Sequence, residues 1–283
     1  MKIVRGKTPK PGRRIMLYGV HGVGKSTWAA QSPDVLFLNV EDGLDDIDCA
    51  KTEQIKTVGD LMAALKYLAL GEESFKWLAI DTLDHLEQII WGHIAEEAGK
   101  KSIGDIGYGA GYKRALAIWN EIQTALDYLR NKMSMGTIAL AHAEIKRFDS
   151  PEQDSYDRYR PALHDAASAL WQEWSDEVLF ASYRTYVRKE DQGFGKERAI
   201  AVGQGERYLR TTETAAVVAK NRLGLPAEID FTWQAYAQYL PGAQPAPVPQ
   251  PEAYQPPTVP AEPAGNIDGI VKDGSSKPQP VIA

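Results

Sequence analysis

The chain has 283 residues, a formal net charge of -6 and a pI near 5.5, with 43% hydrophobic and 25% charged residues. These values fit a soluble globular chain and exclude one that coats duplex DNA by bulk positive charge, so any nucleic-acid contact has to be local. Cys49 is the single cysteine, which excludes an intrachain disulfide and points to a reducing compartment.

Met1 to Arg14 is basic with no apolar stretch behind it and does not read as a secretory signal, and no run approaches the roughly 18 apolar residues of a membrane span. The expectation is a cytoplasmic protein without a membrane partner. Arg14 to Tyr18 then forms a short apolar run of strand type. It leads into Gly19-Val20-His21-Gly22-Val23-Gly24-Lys25-Ser26, which matches G-x-x-x-x-G-K-[ST] at every fixed position. From Thr27 to Gln31 no helix breaker intervenes before Pro33, so the order is strand, glycine loop, helix. In such a loop backbone N–H groups turn inward at a helix N-terminus and cradle phosphates. Residues Gly19 to Thr27 are therefore expected to bind ATP, with Lys25 reaching the β- and γ-phosphates and the Ser26 hydroxyl ligating Mg²⁺.

Val35 to Val40 is nearly continuous in apolar residues, as suits a strand buried on both faces, and it ends in Glu41-Asp42-Gly43. Leu61, Leu65 and Leu68 mark a helix over about residues 59 to 70, stopped by Gly71. Lys76 to Asp81 reads as a strand with an acid at its carboxyl end, where a second Mg²⁺ anchor belongs. Leu83, Leu86, Ile90 and Ile94 carry a helix over 82 to 98, and Gly99 opens a loop rich in glycine and tyrosine. A second long helix spans about 113 to 131, followed by a buried strand from Gly136 to Ala143 tipped by His142. Strands alternating with amphipathic helices imply crossover units and a largely parallel sheet.

After Glu144 the pattern changes. Lys146 to Pro161 is polar and shows neither period, so it reads as a mobile loop. Leu163, Ala167, Leu170, Trp171 and Trp174 mark another helix face. Glu177 to Arg188 looks like a strand, Gln192-Gly193 like a turn, and Arg198 to Val202 like its hairpin partner. From Pro241 onward prolines crowd in without periodicity, the composition of a disordered tail. The expected organisation is an N-terminal extension over 1–11, a core over 12–240 and a tail over 241–283.

Glu41, at the end of the strand after the loop helix, is placed to orient and deprotonate a water attacking the γ-phosphate. On position alone, a solvated acidic turn at Glu41 and a satisfied structural histidine at His142 stay open. Phe37 to Asp45 resembles the strand and catalytic glutamate segment of RecA-type recombinases, and Ile103 to Gly109 resembles the start of their first DNA-binding loop. The strand ending at His142 is similar to the one whose terminal polar residue senses the γ-phosphate, and Ala219 to Pro226 to the segment whose basic residues reach ATP on a neighbouring subunit. The nearest resemblance is to phage-encoded RecA-like ATPases of single-strand annealing and recombination, over roughly residues 12 to 235.

That resemblance implies an α/β fold: a RecA-like P-loop NTPase core with a mostly parallel central sheet flanked by helices, plus a C-terminal β-hairpin and a disordered tail. It also implies a homo-oligomer with ATP at the subunit interface, Lys220 and Arg222 acting in trans, and single-stranded DNA as partner. Two regions offer cations and flat side chains for it: Lys100, Lys101, Tyr108 and Tyr112, and Lys146, Arg147, Arg158, Tyr159 and Arg160, although Asp149, Glu152, Asp154 and Asp157 dilute the second and on composition alone both read as solvated loops. A single-strand-binding protein is a candidate partner of the tail. The rival readings are a P-loop kinase of small molecules or nucleotides and a non-enzymatic module whose assembly is gated by nucleotide.

Overall fold

The structure, a computed structural model, describes residues 12–149, 154–191, 197–202 and 205–243. Two units are distinguished, Met1–Ala246 and Pro247–Ala283, and the second lies wholly outside the described residues. So do the basic extension over 1–11, the turn at Gln192-Gly193 and all but the first residues of the proline-rich tail.

The chain runs β1 (Arg14–Gly19), α1 (Lys25–Ala30), β2 (Val35–Asn39), β3 (Ala50–Lys51), α2 (Val58–Leu70), β4 (Trp77–Asp81), α3 (Leu83–Glu97) and α4 (Ala110–Met133). It continues with β5 (Gly136–Phe148), β6 (Tyr156–Pro161), α5 (Asp165–Trp174), β7 (Glu177–Tyr183), β8 (Tyr186–Asp191), β9 (Glu197–Val202), β10 (Arg207–Arg210), β11 (Glu228–Asp230) and α6 (Trp233–Ala237). One sheet orders the strands β11-β10-β7-β1-β5-β4-β2-β3, with β6 on β5, while β8 and β9 pair separately. The pairs from β7 through β1, β5, β4 and β2 to β3 are all parallel, and β10 and β11 close the other edge antiparallel. This is the mixed α/β architecture that the alternating pattern predicts, a mostly parallel sheet between helices.

Alternation within β1 shows why the sheet needs cover on both sides. Met16 and Tyr18 join a core with α2, α3, α4 and α5, whereas Ile15 and Leu17 join a core on the opposite face with α1 and α6. The first core is seamed by Trp119 against Trp171, edge to face at 5.5 Å. The second is closed by Trp233, which packs on Trp28 at 5.1 Å and on Trp77 at 4.9 Å. Local chemistry sets the helix limits: the Thr57 hydroxyl accepts from Asp60 N at 3.0 Å while the Asp60 carboxylate accepts from Thr57 N at 2.9 Å, a reciprocal start for α2 that Gly71 ends in the left-handed region.

Two expectations need correction. Lys146 to Phe148 and Tyr156 to Pro161 are strands, not loop: β5 runs on past His142 to Phe148 and pairs antiparallel with β6, Ala143 opposite Pro161 and Phe148 opposite Tyr156. Both faces of this hairpin carry polar and partly exposed residues, so it lacks the apolar period that reveals a strand. The stretch Glu177 to Arg188 breaks after Tyr183, because β7 belongs to the central sheet and β8 to a separate hairpin. The apolar run Ala215 to Ala219 forms isolated bridges, Val217 with Tyr159 and the following Lys220 with Val178.

Candidate nucleotide site

Parallel strands bring their carboxyl ends to one edge, the edge where ligands bind in open α/β sheets. In register, Gly19 lies beside His142 and beside Ala181, and Asn39 lies beside Asp81. The glycine loop leaves this edge after Gly19. Its backbone turns through the left-handed region at Gly22 and Gly24, with φ of 71° and 96°, which is why glycine stands at both.

Three side chains take up carbonyls of the loop. Lys25 Nζ, on a buried side chain, donates to Gly19 O at 3.3 Å and Val20 O at 3.4 Å. The Tyr183 hydroxyl donates to Gly22 O at 2.9 Å, and Arg207 Nη1 donates to Val23 O at 3.1 Å. Burial lowers the Lys25 amine, against the pull of Asp81, Asp84 and Glu41.

Asp81 closes β4 almost fully buried. Burial pushes its carboxyl up, the hydrogen bond from Ser26 pulls it down, and the charge of Glu41 adds to the rise. Its backbone oxygen accepts from Val40 N at 3.1 Å and Glu41 N at 2.8 Å, the local device that sets Glu41 beside it although β2 itself ends at Asn39. The Glu41 carboxylate then accepts from Thr82 Oγ1 at 3.1 Å. His142 is held twice by Asp84, backbone N to Oδ1 at 2.9 Å and Nδ1 to Oδ2 at 2.8 Å, and its ring stacks on His21 of the loop with centroids 4.0 Å apart. Burial raises the Asp84 carboxyl, but the His142 bonds outweigh it and leave the group below the usual range.

Lys25, Ser26, Glu41, Asp81, Thr82 and His142 thus line one cavity of about 220 Å³ with the glycine loop. Residues 11–223 match a family model described as an AAA domain. The chain belongs to that family. No curated protein matches it. For an AAA-domain P-loop ATPase the donor set fits a magnesium nucleotide: a buried amine under the loop for phosphate, and the Ser26 hydroxyl bonded to the Asp81 carboxyl as hard oxygen donors for the ion. Among the described residues of this AAA domain no helix is long and apolar enough to cross a membrane.

Other residues singled out in the AAA-domain sequence lie elsewhere. Lys220 bridges Val178, which pairs with Met16, so it sits toward the amino edge of the sheet, away from the loop. Its amine donates to Gln172 O and Glu173 O at 2.9 Å and Ser175 O at 2.7 Å, so it caps the end of α5 rather than waiting for a ligand. Arg222 pairs with Asp176 at 3.3 Å and keeps about half of its side chain exposed. Tyr108 stands fully exposed and Lys100 and Lys101 are exposed, but Tyr112 is stacked on His164 at 4.5 Å and against Trp91. In the β5–β6 hairpin, Lys146 and Arg160 share Asp165, Arg158 pairs with Glu213, and Tyr159 packs on Phe180.

Asp84, Thr82, His85, Tyr183 and Arg207 escaped the sequence reading. For the first three a signal existed, since they follow the strand-end Asp81 directly and open α3. For Tyr183 and Arg207 none did.

Proposed function

We propose that this AAA-domain protein hydrolyses ATP in the cavity and uses the state of the γ-phosphate to control a single-stranded DNA surface, serving annealing or strand exchange. The observation that carries the reading is that Glu41 just beyond β2, Asp81 at the end of β4 and His142 within β5 line the cavity of the glycine loop. Lys25 and the loop amides hold the phosphates, and Ser26 and Asp81 hold Mg²⁺, which when bound neutralises phosphate charge. Glu41 orients and deprotonates the attacking water. His142 meets the γ-phosphate, and its strand runs on for six residues to Phe148, roughly 20 Å at strand spacing, into the β5–β6 hairpin, whose cations would exchange their carboxylate partners for DNA phosphates. Tyr108 with Lys100 and Lys101 supplies a second contact, through stacking and phosphate charge. Arg222 pairs with Asp176, which also accepts from Arg14 N at the start of β1, the opposite end of that strand from the glycine loop, so any nucleotide Arg222 serves is that of a second copy.

The test pairs hydrolysis with binding. Glu41→Gln is expected to abolish ATP turnover and retain nucleotide binding, while the wild-type protein binds a labelled oligonucleotide more tightly with ATP and progressively less tightly as salt rises. Turnover by Glu41→Gln at the wild-type rate, or oligonucleotide affinity indifferent to nucleotide, refutes the proposal.

A further inference from the structure

His85 has no part in the proposed hydrolysis, yet it completes a cluster with two residues that do. One ligand atom from each of Glu41, His85 and His142 lies within 4.8 Å of the others. Glu41 Oε2 and His85 Nδ1 are 3.3 Å apart, and both contact the Thr82 hydroxyl, at 3.1 and 3.0 Å, so an ion bound here takes over the contacts that His85 Nδ1 makes with Thr82 and, at 3.4 Å, with Asp84 Oδ2. Two donors on a tetrahedral zinc, with bonds of about 2.1 Å, stand about 3.4 Å apart, so this edge already has the required length. The Asp84 carboxylate holds His142 through Nδ1 and leaves Nε2 available, the carboxylate–histidine pairing that orients imidazoles toward metals. The cluster borders the cavity, where Glu41 and His142 both open, so a fourth position is free for water or a phosphate oxygen.

We propose that Glu41, His85 and His142 form a site for a zinc-class divalent ion, separate from the magnesium position at Ser26 and Asp81. Two imidazoles and one carboxylate suit a borderline ion, whereas Mg²⁺ prefers oxygen donors and its own water shell. Resting on the ATPase reading, zinc at this site withdraws Glu41 from the attacking water and inhibits turnover.

The primary test needs no nucleotide. The full chain is titrated with Zn²⁺ in competition with a chromophoric zinc indicator, with Mg²⁺ in excess. One equivalent is expected to bind. Asp84→Asn is expected to weaken it by the roughly 10- to 100-fold typical of a lost supporting carboxylate, and His85→Ala, which removes a ligand, by more. Cys49→Ser and His93→Ala, which remove other zinc donors, are expected to leave it unchanged. Absence of a stoichiometric site, or equal affinity in wild type, His85→Ala and His85→Gln with the fold confirmed by circular dichroism, overturns the proposal. Zinc bound as described by a protein that does not turn over ATP supports the site and refutes the ATPase reading instead.

Discussion

Tyr183 and Arg207 grip the glycine loop from β7 and β10, and removing them tests whether the loop is held ready for phosphate. The Tyr183 bond to Gly22 O, 2.9 Å long, joins neutral groups, and a bond of that kind contributes about 1 kcal/mol net. The Arg207 bond to Val23 O is charge-assisted, but solvent around its exposed side chain screens it to about 1 kcal/mol as well. Arg207 also packs on the Phe231 ring with 5.4 Å to the centroid, which fixes its fork. If the free loop relaxes when a bond is lost and re-forms on nucleotide, the lost energy appears in full as affinity, because only the competent fraction binds. Tyr183→Phe and Arg207→Ala are then each expected to weaken ADP binding about fivefold and the pair about thirtyfold. Arg207→Lys recovers part of the loss. Equilibrium titration with a fluorescent ADP analogue reads the effect, beside thermal melting without ligand. A fall in melting temperature with unchanged ADP affinity refutes the reasoning, since the bonds would then brace the fold equally in both states.

Two further predictions concern stability. Glu87 is buried in α3, where both carboxylate oxygens accept from His164 N at 3.0 and 3.2 Å at the start of α5, and burial pushes its carboxyl up to about 7 against that bond. A carboxyl raised on folding contributes stability that is full below its unfolded value near 4.5 and lost as pH rises through 7. The wild-type protein should therefore lose about 1 kcal/mol between pH 6 and pH 8 at this residue, and Glu87→Gln should abolish that share of the slope in urea titrations; an unaltered slope counts against it. Trp119→Ala, in a fully buried position against Trp171, is expected to cost about 3 to 5 kcal/mol by denaturant unfolding, and a loss under about 1 kcal/mol would show that the seam between α4 and α5 closes without it.

What was legible in the sequence depended on whether a signal lay along the chain or across the sheet. β1 reads as a strand because its residues are buried on alternating faces, and the glycine loop reads as itself because each fixed residue has a local reason. Asp81 was legible for the same cause, an acid ending an apolar run. Glu41 lies beside it in the cavity, brought there by hydrogen bonds to the backbone of a neighbouring strand that no local pattern announces. The β5–β6 hairpin has no buried face to announce it. Tyr183 and Arg207 stand 161 and 184 residues from the carbonyls they bind, a separation no spacing rule can bridge.

Lys220 shows how the two kinds of information can conflict. A basic residue in a segment resembling a nucleotide-completing one invites a catalytic role, and nothing local argues against it. Yet α5 has no basic residue in its last turn and runs almost directly into β7, leaving carbonyls at its end in need of a donor. Lys220, paired across the sheet with Val178, is the cation delivered to that point, and its amine meets the oxygens of Gln172, Glu173 and Ser175 together. Releasing it to a second copy would strip those carbonyls of their donor, whereas Arg222 would give up a single half-exposed ion pair with Asp176. If one cation of this segment completes a neighbour's site, the energetic cost singles out Arg222.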